Sequence, residues 1–136
     1  MGHQTAASAD GRFSGKPLAN GNGPTNGNDK NGITALLNSM VKPSPLIHAG
    51  AVQNMKFSKK IFNDNREKLK SLLKTYFEKG GTQAMITVVN PQDLKNAMEN
   101  PESYKNLFVR VGGFTARFVE LTKDVQEDIL YRTLYS

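Results

Sequence analysis

The sequence predicts a mixed α/β fold in two parts, a loop-rich arm over residues 1–32 and a packed domain over residues 33–136. Three observations lead there. Between Gly2 and Gly32 the large apolar side chains are Phe13 and Leu18 alone, while seven of the chain's twelve glycines fall in that stretch. Such a composition cannot offset the entropy of ordering itself, so any order in it must be imposed by what it packs on. Apolar residues then recur at helical spacing in two places, Ile33, Leu36, Leu37, Met40 and Val41, and again Leu69, Leu72, Leu73, Tyr76 and Phe77. Finally, Thr82 to Val89 is short, rich in β-branched residues and fairly apolar on both faces, the pattern of a strand buried within a sheet.

Taken in order, residues 1–30 read as loop, because Asp10-Gly11-Arg12, Gly15, Pro17 and the run Asn20-Gly21-Asn22-Gly23-Pro24 are turn formers. The stripe from Ile33 to Val41 forms a helix with one buried face; Pro43 ends it, and Pro43 with Pro45 forces a turn. Ala51 to Phe57 is a short extended segment. Asp64 and Glu67 have capping-box spacing and open the second striped helix, which Gly80-Gly81 stops. Beyond the 82–89 strand, Asn90-Pro91 places a cap before a proline at the first helical position, opening a helix through Met98. Asn100-Pro101 repeats the device for a further turn. Leu107 to Val111 is a strand, Gly112-Gly113 a break, and Phe114 to Leu121 extended again. Thr122 caps a last helix that sets Val125 and Ile129 on one face. The core therefore lies between residues 33 and 135.

Charge and composition exclude several function classes. The net charge is +6, but eight of the eighteen basic residues, Lys56, Lys59, Lys60, Arg66, Lys68, Lys70, Lys74 and Lys79, surround one amphipathic helix and mingle with Asp64, Glu67 and Glu78. This reads as a solvated face; a small basic nucleic-acid-binding domain is the alternative, without a finger or basic-zipper motif to support it. With no cysteine, the chain has no disulfide, thiolate metal site or cysteine nucleophile of its own. His3 and His48 stand far apart, so no metal site is expected, and His48 reads as a surface or interface residue. No apolar run reaches membrane-spanning length and the N-terminus lacks a signal-peptide stretch, so the chain reads as cytoplasmic, with neither membrane nor nucleic acid as partner.

The informative segment is Val109-Arg110-Val111-Gly112-Gly113-Phe114-Thr115-Ala116-Arg117-Phe118, a double glycine between two extended runs. By itself it fits a hairpin turn. Arg110 and Arg117 read as braces for the loop or as structural ion pairs, and Phe114 and Phe118 as core. The wider pattern is more specific. Gly80-Gly81 ahead of an extended run, Asn90-Pro91, the helix from Leu94 to Pro101 with Glu102 and Tyr104, Arg110-Val111-x-Gly113-Phe114, Phe118-Val119, Leu121, Gln126, Ile129 and Arg132-Thr133 follow in an order and spacing that resembles the C-terminal domain of the pyruvate formate-lyase superfamily of glycyl radical enzymes. Asp10-Gly11-Arg12, Gly15, Pro17-Leu18, Asp29, Gly32, Thr34-Ala35 and Ser39 resemble the stretch that precedes that domain. Two positions depart from the pattern: the family often has serine, alanine or cysteine where Gly112 stands and tyrosine where Phe114 stands.

The resemblance implies a fold, a site and a chemistry. The fold is the C-terminal portion of a ten-stranded α/β barrel whose centre receives the glycine loop, with the arm packed on the rest of the enzyme. The site is Gly113, by register against Arg110 and Val111, with Phe114 completing the motif and Gly112 as the alternative. The cofactor is a protein-derived glycyl radical, raised by a radical S-adenosylmethionine activating enzyme that carries the iron–sulfur cluster. The radical would be oxygen-sensitive and would generate a thiyl radical on a cysteine that this chain lacks, for C–C, C–O, C–N or C–S cleavage of a small-molecule substrate. The chain is then expected to be a fragment, a split small subunit, or a spare part that rescues an oxygen-cleaved enzyme. Its substrate branch leans toward the diol-dehydratase, choline-lyase and isethionate-lyase enzymes. Glycine suits the role because an α-carbon radical is stabilised when amide nitrogen and carbonyl are coplanar with it, a flattening that a side chain resists.

Overall fold

The computed structural model describes residues 2, 4–16, 18–25, 27–48, 52–132 and 134–135. Pro17, Ala51 and Thr133 of the sequence reading, and the side chain of His48, lie outside the described residues. Up to Asn31 the chain carries neither helix nor strand among its described residues and folds into turns. Arg12 organises one of them, donating from Nη1 to the carbonyls of Phe13 at 3.1 Å and Lys16 at 3.0 Å, and from Nη2 to that of Ala6. Phe13 and Leu18 are 76% and 43% exposed, so the arm's two large apolar side chains contribute little core.

The first helix is α1 (Gly32–Met40), which buries Leu36 and Leu37. Proline at the first position then starts a single turn, α2 (Pro45–His48), where the sequence suggested a plain turn. Next come β1 (Val52–Phe57), α3 (Lys59–Asp64) and α4 (Arg66–Glu78). The capping box at Asp64 and Glu67 is not formed. Asp64 closes α3, and Asn65, with φ −134° and ψ 30°, makes the corner between the two helices without a side-chain cap bond. Strand β2 (Gln83–Val88) runs parallel to β1, pairing Val52 with Gln83 through Phe57 with Val88. The two-residue strand β5 (Leu134–Tyr135) pairs parallel with β1 at Lys56 and Phe57, giving the order β2-β1-β5. Thus β2, which the sequence placed inside a sheet, is an edge strand among the described residues, with Val88 40% exposed. The central strand is the more polar β1.

Alternation along β1 distributes its contacts. Met55 and Phe57 enter a core with Leu36, Leu37, Leu69, Tyr76 and Tyr135. Asn54 and Lys56 point to the opposite face, as do their register partners Met85 and Thr87 on β2. On that side lies a second core of Val89, Leu94, Ala97, Val109, Phe118 and Ile129. It is contributed by α5 (Pro91–Glu99), the hairpin β3 (Phe108–Arg110) and β4 (Thr115–Arg117), and α6 (Lys123–Tyr131). A 3₁₀ turn at Phe118–Glu120 interrupts the extended run expected from Phe114 to Leu121, and another at Pro101–Tyr104 follows α5 as the Asn-Pro pair indicated.

Helix α5 shows how local signals fix an element. Asn90 Oδ1 accepts from the Gln92 amide at 3.2 Å, Pro91 occupies a position with no use for an amide hydrogen, and Leu94 and Ala97 face the core. Replacing Asn90 by alanine is expected to cost about 1 kcal/mol, read as a lower urea midpoint with unchanged slope. The arm meets this framework at few points. Asn22 N donates to Val52 O at 2.8 Å, Asn54 Nδ2 to Asn20 Oδ1 at 3.4 Å, and Tyr135 Oη to Asp29 Oδ2 at 2.5 Å. Gly21 lies so close to the Val52 carbonyl that a β-carbon would collide with backbone there.

Candidate functional site

Strands β3 and β4 pair antiparallel, Phe108 with Arg117, Val109 with Ala116 and Arg110 with Thr115, and Val111 N donates to Phe114 O at 3.0 Å. Gly112 and Gly113 form the tip of this hairpin. The hairpin turn read from the local sequence is therefore real. The two glycines differ in conformation. Gly113 has φ +127°, a region closed to most side chains, whereas Gly112 lies outside that region. Gly113 is exposed, and nothing lies within 4 Å of where a β-carbon would sit; at Gly112 the same construction meets Asn20 Oδ1 at 3.5 Å. Within this chain, the β-carbon side of Gly113 has no neighbour, whereas Asn20 of the arm lies near that side of Gly112.

The base of the hairpin is held from several sides. Phe118 is fully buried; its amide donates to Leu107 O at 2.8 Å, and its carbonyl accepts from Gln126 Nε2 at 2.9 Å. The Arg110 amide donates to Thr87 Oγ1 at 3.2 Å, and its guanidinium donates to Thr115 Oγ1 at 2.9 Å and to Met85 Sδ at 2.7 Å. Arg110 therefore braces β4 and the sheet, with no carboxylate partner among the described residues. Arg117 pairs with Glu120 at 3.0 Å in solvent, a contact worth roughly 0–1 kcal/mol. Val111 packs against the second core. Phe114, expected in the core, is instead 58% exposed, because it flanks the tip beyond the end of the paired strands.

Two residues near the hairpin take structural roles that the sequence did not show. Arg132, at the end of α6, donates to the carbonyls of Arg110 at 3.1 Å and Val111 at 2.8 Å and pairs with Asp128 at 2.8 Å. Lys56, read as part of a solvated face, is only 3% exposed, and its Nζ donates to the last-turn carbonyls Ile129 O at 3.2 Å and Leu130 O at 2.9 Å. An ammonium at that end of a helix satisfies orphan carbonyls and opposes the helix dipole favourably. The remaining basic residues of the predicted face, from Lys59 to Lys79, are exposed as read. A lysine at mid-strand beside Phe57 was the one available signal for Lys56.

Burial, and then the neighbouring Arg132 charge, push Lys56 down from 10.5 to about 8. Between those values the unfolded chain holds a proton that the folded chain has shed, so this group makes stability rise with pH across the window. Above pH 10 the buried Tyr135 phenol, raised by burial and by Asp29, and Tyr76, raised by burial, act in the opposite direction. The Tm of the wild type is expected to gain on that of Lys56→Met between about pH 8 and 10; a pH-independent difference would contradict it.

A model of the glycine radical family matches residues 18–119, which include β1, β2, α5 and the whole hairpin. The chain belongs to this family. The glycine radical chain is 38% identical to the 4-hydroxyphenylacetate decarboxylase glycyl radical subunit of Clostridium scatologenes, over 99% of its own length and 15% of the relative's. It is also 38% identical to a probable dehydratase of Escherichia coli strain K12, over 98% of its length and 17% of the relative's. Among solved structures it resembles the glycerol-bound B12-independent glycerol dehydratase of Clostridium butyricum, with TM-score 0.90, 39% identity, and coverage of 98% of this chain and 17% of that one. These relatives are glycyl radical enzymes of α/β fold, and the chain spans about a sixth of their length, between 15% and 17%. Among the described residues no helix is long and apolar enough to cross a membrane.

Proposed function

We propose that this glycine radical chain stores an unpaired electron on the α-carbon of Gly113, as part of a lyase or dehydratase that acts on a small organic molecule. The observation that carries the assignment is conformational. Of the two tip glycines, Gly113 alone has a backbone angle in the region that favours glycine. A radical S-adenosylmethionine activating enzyme is proposed to remove one hydrogen atom there. The glycyl radical then takes a hydrogen atom from a cysteine thiol, which restores glycine and leaves a thiyl radical to begin the substrate reaction. That cysteine lies outside this chain, which has none. The rest of a glycyl radical enzyme is therefore the second proposed partner, consistent with the small share of its relatives that this chain spans. The arm over 1–32, with Phe13 exposed, is proposed to pack on that remainder.

The test is anaerobic electron paramagnetic resonance after incubation with a cognate activating enzyme and S-adenosylmethionine, with the remainder of the enzyme present. A doublet from one α-hydrogen, collapsing to a singlet when the glycines carry α-deuterium, is the expected result. Absence of any signal in that complete system would overturn the assignment.

A further inference from the structure

We propose that Arg132 is a positioning residue for the glycine hairpin, holding the carbonyls of Arg110 and Val111 in one orientation and thereby fixing the backbone that leads into Gly112 and Gly113. Its consequence for the radical rests on the function proposed above; its geometry does not. In a regular strand, successive carbonyls point to opposite edges, so one side chain cannot ordinarily reach two in a row. Arg132 does so, with Nη1 at 3.1 Å from Arg110 O and Nη2 at 2.8 Å from Val111 O. The pair straddles the point where β3 ends, at Arg110, and the chain turns toward the tip.

The guanidinium is itself held. Its side chain is 13% exposed, and Nη2 is 2.8 Å from Asp128 Oδ2 one helical turn earlier. The end of α6 from which it projects is anchored to the central strand by Lys56, through the carbonyls of Ile129 and Leu130. A polar chain therefore runs from β1 through the end of α6 to the residue before Gly112. A planar fork spreads its fixed donors over two terminal nitrogens and so reaches two carbonyls and a carboxylate set apart from one another; a lysine would have to serve all three from one nitrogen atom.

The experiment compares Arg132→Gln and Arg132→Lys with the wild type by amide hydrogen exchange at two probes. The Val111 amide, bonded to Phe114 O at 3.0 Å, reads the tip, and the Val89 amide, bonded to Phe57 O at 3.1 Å, reads the sheet. Exchange at Val111 is expected to accelerate by roughly tenfold or more in both variants, with Val89 unchanged. An unchanged Val111, or equal acceleration at both probes, would overturn the proposal, the second because it describes general loosening. After activation, the variants are expected to show a broadened doublet and a lower radical yield than the wild type. Variants with wild-type line shape and yield would remove the functional consequence. If the wild type itself yields no radical, the functional reading fails and the exchange ratio still decides the positioning role.

Discussion

Replacing Gly113 by alanine is expected to abolish the radical signal while leaving the domain folded, at a cost of about 1–3 kcal/mol. The structure separates the two effects. Beyond its two chain neighbours, no atom of this chain lies within 4 Å of the added β-carbon, so the stability cost comes from holding an L-residue at φ +127° and not from a clash. The loss of signal comes from the α-carbon, where a methyl group resists planarity and takes the place of one α-hydrogen. Gly112→Ala is the matched control. Its φ lies outside the glycine-only region and its nearest contact, Asn20 Oδ1 at 3.5 Å, is ordinary, so both stability and signal are expected to survive. Spin counting together with thermal unfolding reads both quantities. A Gly112→Ala variant that loses the signal, beside a Gly113→Ala variant that keeps it, would move the radical to Gly112.

Phe118→Ala is expected to cost about 3–5 kcal/mol, the largest stability loss of any substitution considered. Phe118 is fully buried in the second core among Val89, Leu94, Ala97, Val109 and Ile129. Removing the ring leaves a cavity at the junction of α5, α6 and the hairpin base. The backbone bonds of Phe118 to Leu107 and Gln126 tie that base down, so the cavity forms under the base of the hairpin. Urea unfolding reads the loss; the expected companion is a less protected Val111 amide, because the hairpin rests on this core. A cost below about 1 kcal/mol would mean that the second core does not depend on this ring.

The parts of this fold that were legible in the sequence are those whose causes are local. Asn90 bonds the amide of Gln92 two residues on, and the stripes of α1 and α4 face the core because a helix returns every three or four residues. The double glycine announced a hairpin and was given one. What escaped depends on partners far along the chain. Lys56 looked solvated until α6 brought the carbonyls of Ile129 and Leu130 to it. The run Val52-Gln53-Asn54-Met55-Lys56-Phe57 is too polar to announce a central strand, yet it lies between β2 and β5. Asp64 and Glu67 have capping-box spacing, but a preceding helix started after Ser58 had already claimed Asp64. At the candidate site, the motif supplied Gly113, Arg110, Val111 and Phe114 as expectations. Arg132 was visible only as part of a pattern, since the two carbonyls it holds lie more than twenty residues upstream. The exposure of Phe114 likewise depends on where the paired strands stop.

The most direct test of the central claim is mass spectrometry of the activated protein after exposure to air. A backbone radical reacts with oxygen where the electron resides, so the account predicts cleavage at Gly113, dependent on prior activation and absent from Gly113→Ala. Activated protein that carries a radical signal yet is cut at Gly112, at another glycine, or nowhere would contradict it.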